Sequence, residues 1–128
     1  MTLSTHAPAR RAQNVGLWVA QIGLALLFAG AGASKLAGSP AMVDMFSDVG
    51  AGQWLRYVVG ALEVAGAVGL LVPRLTVAAA CGLAALMVGA TLANVFLLDA
   101  SPLLPIALAV VAGAIAWARH HHAPSTRP

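Results

Sequence analysis

Few side chains in this sequence are able to do chemistry, and the ones inside apolar runs are Glu63, Lys35 and Asn94, with Gln21 as a further polar group. Glu63 lies eight residues past Leu55, which is about 12 Å along a helix and close to the middle of a ~30 Å hydrocarbon core. An acid at that depth costs roughly 2.5–3.5 kcal/mol, taking Asp as its proxy, while the eight branched apolar residues from Val58 to Val72 return roughly 2.4–4.8 kcal/mol. With the balance near zero, Glu63 must face other helices and find a partner there, or stay protonated. Lys35, at the end of the first apolar run, is the nearest candidate. Its long stem can bend inward to the carboxylate, directly or through a water. Asn94 belongs near the same depth, either joining this pair or hydrogen-bonding between helices, whereas Gln21 belongs near the opposite end. The chemistry implied by such a group is proton relay or contact with an electron carrier, because ionisable residues inside a membrane mark such paths. The bland counterpart is an ion pair that fixes helix register, which adds little stability over apolar side chains.

The elements that must position these residues follow from composition. The 128 residues are 60% hydrophobic and carry seven Lys and Arg and four Asp and Glu, or 9% charged, against about 25% in soluble domains. Mean hydropathy is +0.87. Such a chain cannot cover a water-soluble surface, and it is too short for a separate soluble catalytic domain. Four apolar runs are separated by short polar turns: 15–37, 55–72, 76–98 and 102–118. Their length and Ala, Leu and Val content favour helices over barrel strands, because each span must satisfy its own backbone in lipid. The fold class is therefore all-α, a polytopic four-transmembrane-helix bundle, flanked by tails at 1–14 and 119–128. The first run resembles a secretory leader, with Arg10 and Arg11 before it and Ala31-Gly32-Ala33 near its end, but it exceeds the ~7–15 apolar residues of a leader. Between the first two runs, Ser39-Pro40 signals a helix start, and Met42, Met45, Phe46 and Val49 recur at i, i+3, i+4 and i+7. That pattern fits a short amphipathic helix on the membrane surface as well as it fits a loop.

Basic residues set the topology. With the N-terminus inside, Arg10, Arg11, Arg74, Arg119 and Arg127 are cytoplasmic, while Lys35 and Arg56 lie at the outer rim. Both termini are then cytoplasmic, in a bacterial inner (plasma) membrane. The net charge of +3 serves this orientation and gives no reason to expect nucleic acid. The four histidines fall in the tails, so no metal or haem site between helices is expected, and the single Cys81 reads as a small buried helix residue. Small residues recur at four-residue spacing in every run (Ala25, Ala29, Ala33; Ala61, Ala65, Gly69; Ala85, Gly89, Ala93; Ala109, Gly113). These rows suggest close helix packing, within the bundle or in a homo-oligomer.

The order Gly23, Phe28, Gly30, Gly32, Lys35-Leu36 in the first run, then Gly60-Ala61-Leu62-Glu63-Val64, Gly66, Gly69 and Pro73-Arg74 in the second, resembles the DoxX family of small bacterial membrane proteins, in particular its DoxX-like branch. An Ala-rich third run with Met87 and Gly89 agrees. The resemblance covers roughly Val15 to Arg119. It implies a four-helix membrane protein associated with redox complexes, since founding members are linked to a terminal quinol oxidase and a thiosulfate:quinone oxidoreductase. Lys35 and Glu63 transfer as motif positions without a catalytic role. On this basis the expected function is an accessory or quinone-interacting subunit of a membrane redox complex, with quinone as the candidate cofactor and a membrane redox protein as partner. A small-solute transporter or channel and a non-catalytic assembly or scaffold factor are the alternatives.

Overall fold

A computed structural model describes the backbone of residues 3–121 and the side chains of 9–121. The tail residues 122–128, with His122 and Arg127, and the side chain of His6 lie outside the described residues. Five helices follow one another: α1 (Leu3–Ala37), α2 (Pro40–Val49), α3 (Trp54–Leu71), α4 (Thr76–Phe96) and α5 (Leu103–His121), with a 3-10 turn at Pro73–Leu75. Among the described residues there is no strand. Four helices are long and apolar enough to cross a bilayer, over Ala9–Ala37, Trp54–Leu71, Pro73–Phe96 and Leu103–His121.

The helix ends depart from the simple apolar runs for local reasons. α1 extends N-terminally past the apolar run to Leu3, through Pro8; from Ala9 to Gln13 the residues Ala9-Arg10-Arg11-Ala12-Gln13 are good helix formers that carry the helix into Val15. α5 likewise carries Arg119, His120 and His121 in its last turn. α1 stops at Gly38, whose φ of +73° suits glycine. There the Gly38 N–H donates to the Lys35 carbonyl and the Ser39 N–H to the Ser34 carbonyl, a Schellman closure. Ser39-Pro40 then opens α2, with the Ser39 hydroxyl bonded to Ser34 Oγ (2.9 Å) and making no cap bond to the backbone. α2 is a helix, and its apolar face turns inward. Phe46 is buried while Asp44 and Asp48 are exposed.

Distribution of side chains is inverted relative to a soluble protein. Gln21, Arg56, Glu63 and Thr76 are buried, while Leu26, Phe96, Leu103 and Leu104 are about 70% exposed or more (70%, 76%, 73% and, for Leu104, 68%). That arrangement suits a solvent of lipid tails. Inside, Leu24 and Phe28 of α1, Leu70 of α3, Leu83 and Met87 of α4 and Ile115 of α5 form one core. α1 lies along α3, α3 along α4, and α4 along α5; α1 and α5 meet over a shorter stretch.

Glycines set the closest approaches. A Cβ on Gly32 would stand 2.7 Å from the Gly60 carbonyl oxygen and 2.7 Å from Val64 Cγ2, so the two backbones touch. Gly66 receives the Leu83 side chain and Gly69 receives Ala79, each at 2.6–2.7 Å from a built Cβ. The rows read from spacing are only partly used in this way. Ala25 and Gly69 are buried, but Ala33, Ala61, Ala65, Ala85, Gly89 and Gly113 are exposed. Cys81 is also exposed, contrary to expectation. The buried stripe of α4 runs Thr76, Ala80, Leu83, Met87, and one residue past Ala80 the helix has turned about 100° away.

Replacing Gly32 with Ala should lower stability by about 1–3 kcal/mol, because backbone rather than a flexible side chain blocks the added methyl. Gly30→Ala, which meets nothing within 4 Å, should leave thermal unfolding in detergent nearly unchanged.

Candidate functional site

Arg56, Gly60, Glu63, Ala67 and Leu70 follow at spacings of four and three and make the buried face of α3. Gly60 at the centre of that face lets α1 come close; a Cβ there would lie 3.0 Å from Lys35 Cβ. The Lys35 side chain is thereby laid over the next turn of α3. Its Nζ stands 2.8 Å from Glu63 Oε1, with the two side chains 13% and 3% exposed. The contact is direct and needs no bridging water. It is an ion pair without hydrogen-bond alignment, and Glu63 Oε1, fully enclosed, accepts no hydrogen bond from the described residues.

Arg56, in the first turn of α3, is enclosed by the bundle. It is 5% exposed, and its Nη1 donates to the Lys35 backbone carbonyl. The Lys35 carbonyl already accepts from the Gly38 N–H in the turn that closes α1, and the guanidinium is a second, charged donor to it. Arg56 Nε donates to Gln53 Oε1 (2.8 Å), and the guanidinium lies 4.3 Å from the centre of the Tyr57 ring. Gln53 in turn donates to the Val43 carbonyl (3.0 Å) and Ser47 Oγ (3.2 Å) of α2. A chain of polar contacts therefore runs from α2 through Gln53 and Arg56 to the residue that pairs with Glu63. The spacing Arg56, Gly60, Glu63 carries the signal: an arginine seven residues before an inward-facing acid shares its face.

Asn94 stands apart from the pair. Its Nδ2 donates to the Ser101 carbonyl (2.8 Å) and its own carbonyl accepts from the Ala100 N–H (2.9 Å), so it shapes the turn into α5. Gln21 is completely buried near the other end. It donates to the Leu70 carbonyl at the end of α3 (2.7 Å) and accepts from Arg119 Nε (2.6 Å), joining three helices. Thr76 Oγ1 also donates to the Leu70 carbonyl (3.1 Å). Among the described residues no three His, Cys, Asp or Glu side chains come together.

Two hollows lie between α3 and α4. A chamber of about 330 Å³ beneath α2 is lined by Phe46, Val59, Met87, Gly89 and Asn94 among others. Val59 precedes Glu63 by one turn of α3, although neither Glu63 nor Lys35 lines the chamber. Farther along, a more open furrow of about 630 Å³ is lined by Ala65, Gly66, Gly69, Gly82 and Ala85. Of the exposed small residues, Ala65, Ala85 and Gly89 border these hollows, while Ala33, Ala61 and Gly113 do not.

Lys35→Met should cost about 3–5 kcal/mol of stability, since it strands a carboxylate among apolar groups. The double variant Lys35→Met/Glu63→Gln should recover most of that loss. Thermal unfolding in detergent measures both, and equal losses in the single and double variants would contradict a direct pairing.

No curated protein and no solved structure matches the chain. The model of the DoxX-like family does match, over residues 19–119. That stretch includes Lys35, Gly60 and Glu63, the acid–base pair and the glycine that lets it form. With four membrane-spanning helices and most of its length inside that match, the chain belongs to the DoxX-like family.

Proposed function

We propose that this small membrane protein is an accessory subunit of a membrane redox complex, and that the Lys35–Glu63 pair meets the head group of a quinone. The observation that carries the reading is the enclosed Glu63 Oε1, 2.8 Å from an ammonium yet without an aligned donor. That oxygen can accept a hydrogen bond from a hydroxyl, while Lys35 Nζ balances the charge and can donate to a carbonyl oxygen. The donor set fits a quinone, which presents a carbonyl when oxidised and a hydroxyl when reduced. When bound, the quinone would supply the electron chemistry, for which this chain has no group of its own. The chamber beneath α2 is of the ~300–1,000 Å³ size that small-molecule sites have, and it approaches Glu63 to within one turn at Val59. Arg56 fixes Lys35 by its backbone and so acts as a positioning residue.

The orientation belongs to the same reading. Asn14 of α1 accepts a hydrogen bond from Arg119 of α5, so these helices meet at one end of the bundle, and Arg10, Arg11, Arg74 and Arg119 belong to that end. The positive-inside rule assigns it to the cytoplasm of a bacterial inner membrane. The ion pair then sits in the outer half of the bilayer.

A second reading, a membrane assembly factor, is favoured by the exposed small residues along the furrow, which would admit a partner's helix. Gly82→Leu tests it cleanly, because Gly82 lines the furrow and not the chamber, and a Cβ there meets nothing of this chain. Loss of a partner from pull-downs with Gly82→Leu, at unchanged stability, supports assembly; an unaffected partner argues against it.

For the quinone reading, protein purified in mild detergent should retain extractable quinone, and Glu63→Gln should reduce it about tenfold, as expected for a lost hydrogen bond to a charged group. A quinone-free wild-type preparation that also lacks a redox partner would overturn it.

A further inference from the structure

Arg119 Nη2 is the other enclosed polar atom without a hydrogen-bond partner among the described residues, and it lies near the end of α5, away from Glu63 at the middle of α3. We propose that the crevice between α1 and α5 at this end binds the phosphodiester headgroup of an anionic phospholipid, with Arg119 and Arg11 as the donors. This inference is independent of the quinone reading.

The guanidinium of Arg119 is held in place from α1. Its Nε donates to Gln21 Oε1 (2.6 Å) and its Nη1 to Asn14 Oδ1 (2.7 Å), while the Trp18 ring centre lies 5.6 Å from Cζ. Both acceptors are neutral amides, so they orient the charge and leave it unneutralised. Asn14, Trp18 and Gln21 share one face of α1 at spacings of four and three. Arg11, three residues before Asn14, continues that face, about 4.5 Å farther along the helix, and it is exposed.

No acid of this protein is near enough to answer these two arginines. The four acidic side chains are Asp44 and Asp48 of α2, Glu63 beside Lys35, and Asp99 in the turn after α4. All lie toward the other end or the middle of the bundle, so no acidic side chain among the described residues answers these arginines. Their unneutralised charge suits an anionic ligand. Phosphate oxygens match a guanidinium fork with parallel hydrogen bonds. The depth is right as well, since the half-buried Trp18 stands beside the guanidinium, Trp117 lies at the same level on the outer face of α5, and tryptophan rings settle at headgroup level. A free phosphate offers the same oxygens, but Val15 and Val19 beside Trp18, both more than half exposed (56% and 66%), give acyl chains a surface that inorganic phosphate does not use.

The test titrates the full chain in mild detergent with phosphatidylglycerol, phosphatidylcholine or inorganic phosphate. Native mass spectrometry counts bound lipid, and thermal unfolding reports stabilisation. Phosphatidylglycerol should bind saturably and raise the unfolding temperature. Arg11→Gln should weaken it about fivefold, the effect of one arginine at a lipid surface, and Arg119→Lys, which keeps charge and loses the fork, about tenfold or more. Arg74→Gln, an exposed arginine of the α3–α4 turn at the same end, should change nothing. If Arg119→Lys does not fold, Arg11→Gln against Arg74→Gln still decides. Equal binding of phosphatidylcholine, equal stabilisation by inorganic phosphate, or an equal loss in Arg74→Gln would overturn the proposal.

Discussion

Hydrocarbon supplies neither hydrogen bonds nor counter-ions, so each polar group this chain carries into the membrane has to be answered from within the bundle. That constraint organises the structure. Helix ends leave carbonyls short of donors, and buried side chains from neighbouring helices reach them: Gln21 and Thr76 bond that of Leu70, and Arg56 adds a second donor to that of Lys35, which the Gly38 N–H also bonds. Each such bond ties one helix to the end of another, so satisfying the backbone also sets how the helices are placed. Gly32 and Gly60 let α1 and α3 approach closely enough for this to work. The Lys35–Glu63 pair is the strongest expression of the same rule, a charge in the bilayer matched by its opposite on the facing helix.

Two enclosed atoms lack an aligned hydrogen bond among the described residues, Glu63 Oε1, which the Lys35 ammonium balances in charge, and Arg119 Nη2. They lie at the middle of α3 and near the end of α5 and differ in sign. The first is an acceptor beside a fixed ammonium, suited to a ligand that brings a proton. The second is a donor in a cluster without any acid, suited to a ligand that brings negative charge. Membership of the DoxX-like family frames the first without specifying its chemistry, since fold and family do not fix function by themselves.

Much of this was legible in the sequence, for physical reasons that also mark where it stopped. Uninterrupted apolar length identifies membrane spans, and the cost of a mid-membrane acid points to Glu63 and to the nearest cation, Lys35. Gln21 was visible as a polar side chain inside an apolar run. Arg56 was missed because a basic residue near a span end ordinarily reaches for the interface; its burial depends on where α1 ends and on the Lys35 carbonyl, which is tertiary information. Asn94 lies at a suitable depth for the pair, yet the turn through Asp99 and Ser101 claims its amide. Cys81 and the exposed small-residue rows show a more general limit. When nearly every residue is apolar, hydrophobic periodicity no longer separates the face that packs from the face that meets lipid.

The central claim is that Glu63 is an ionised carboxylate paired with Lys35 inside the membrane. Glu63 is the only glutamate in the chain, so labelling glutamate with ¹³C at its side-chain carboxyl gives a single-site infrared probe in lipid bilayers at neutral pH. The account predicts the paired stretching bands of an ionised carboxylate, perturbed when Lys35 is replaced by Met. A single carbonyl band of a protonated acid, unchanged by that replacement, would contradict it.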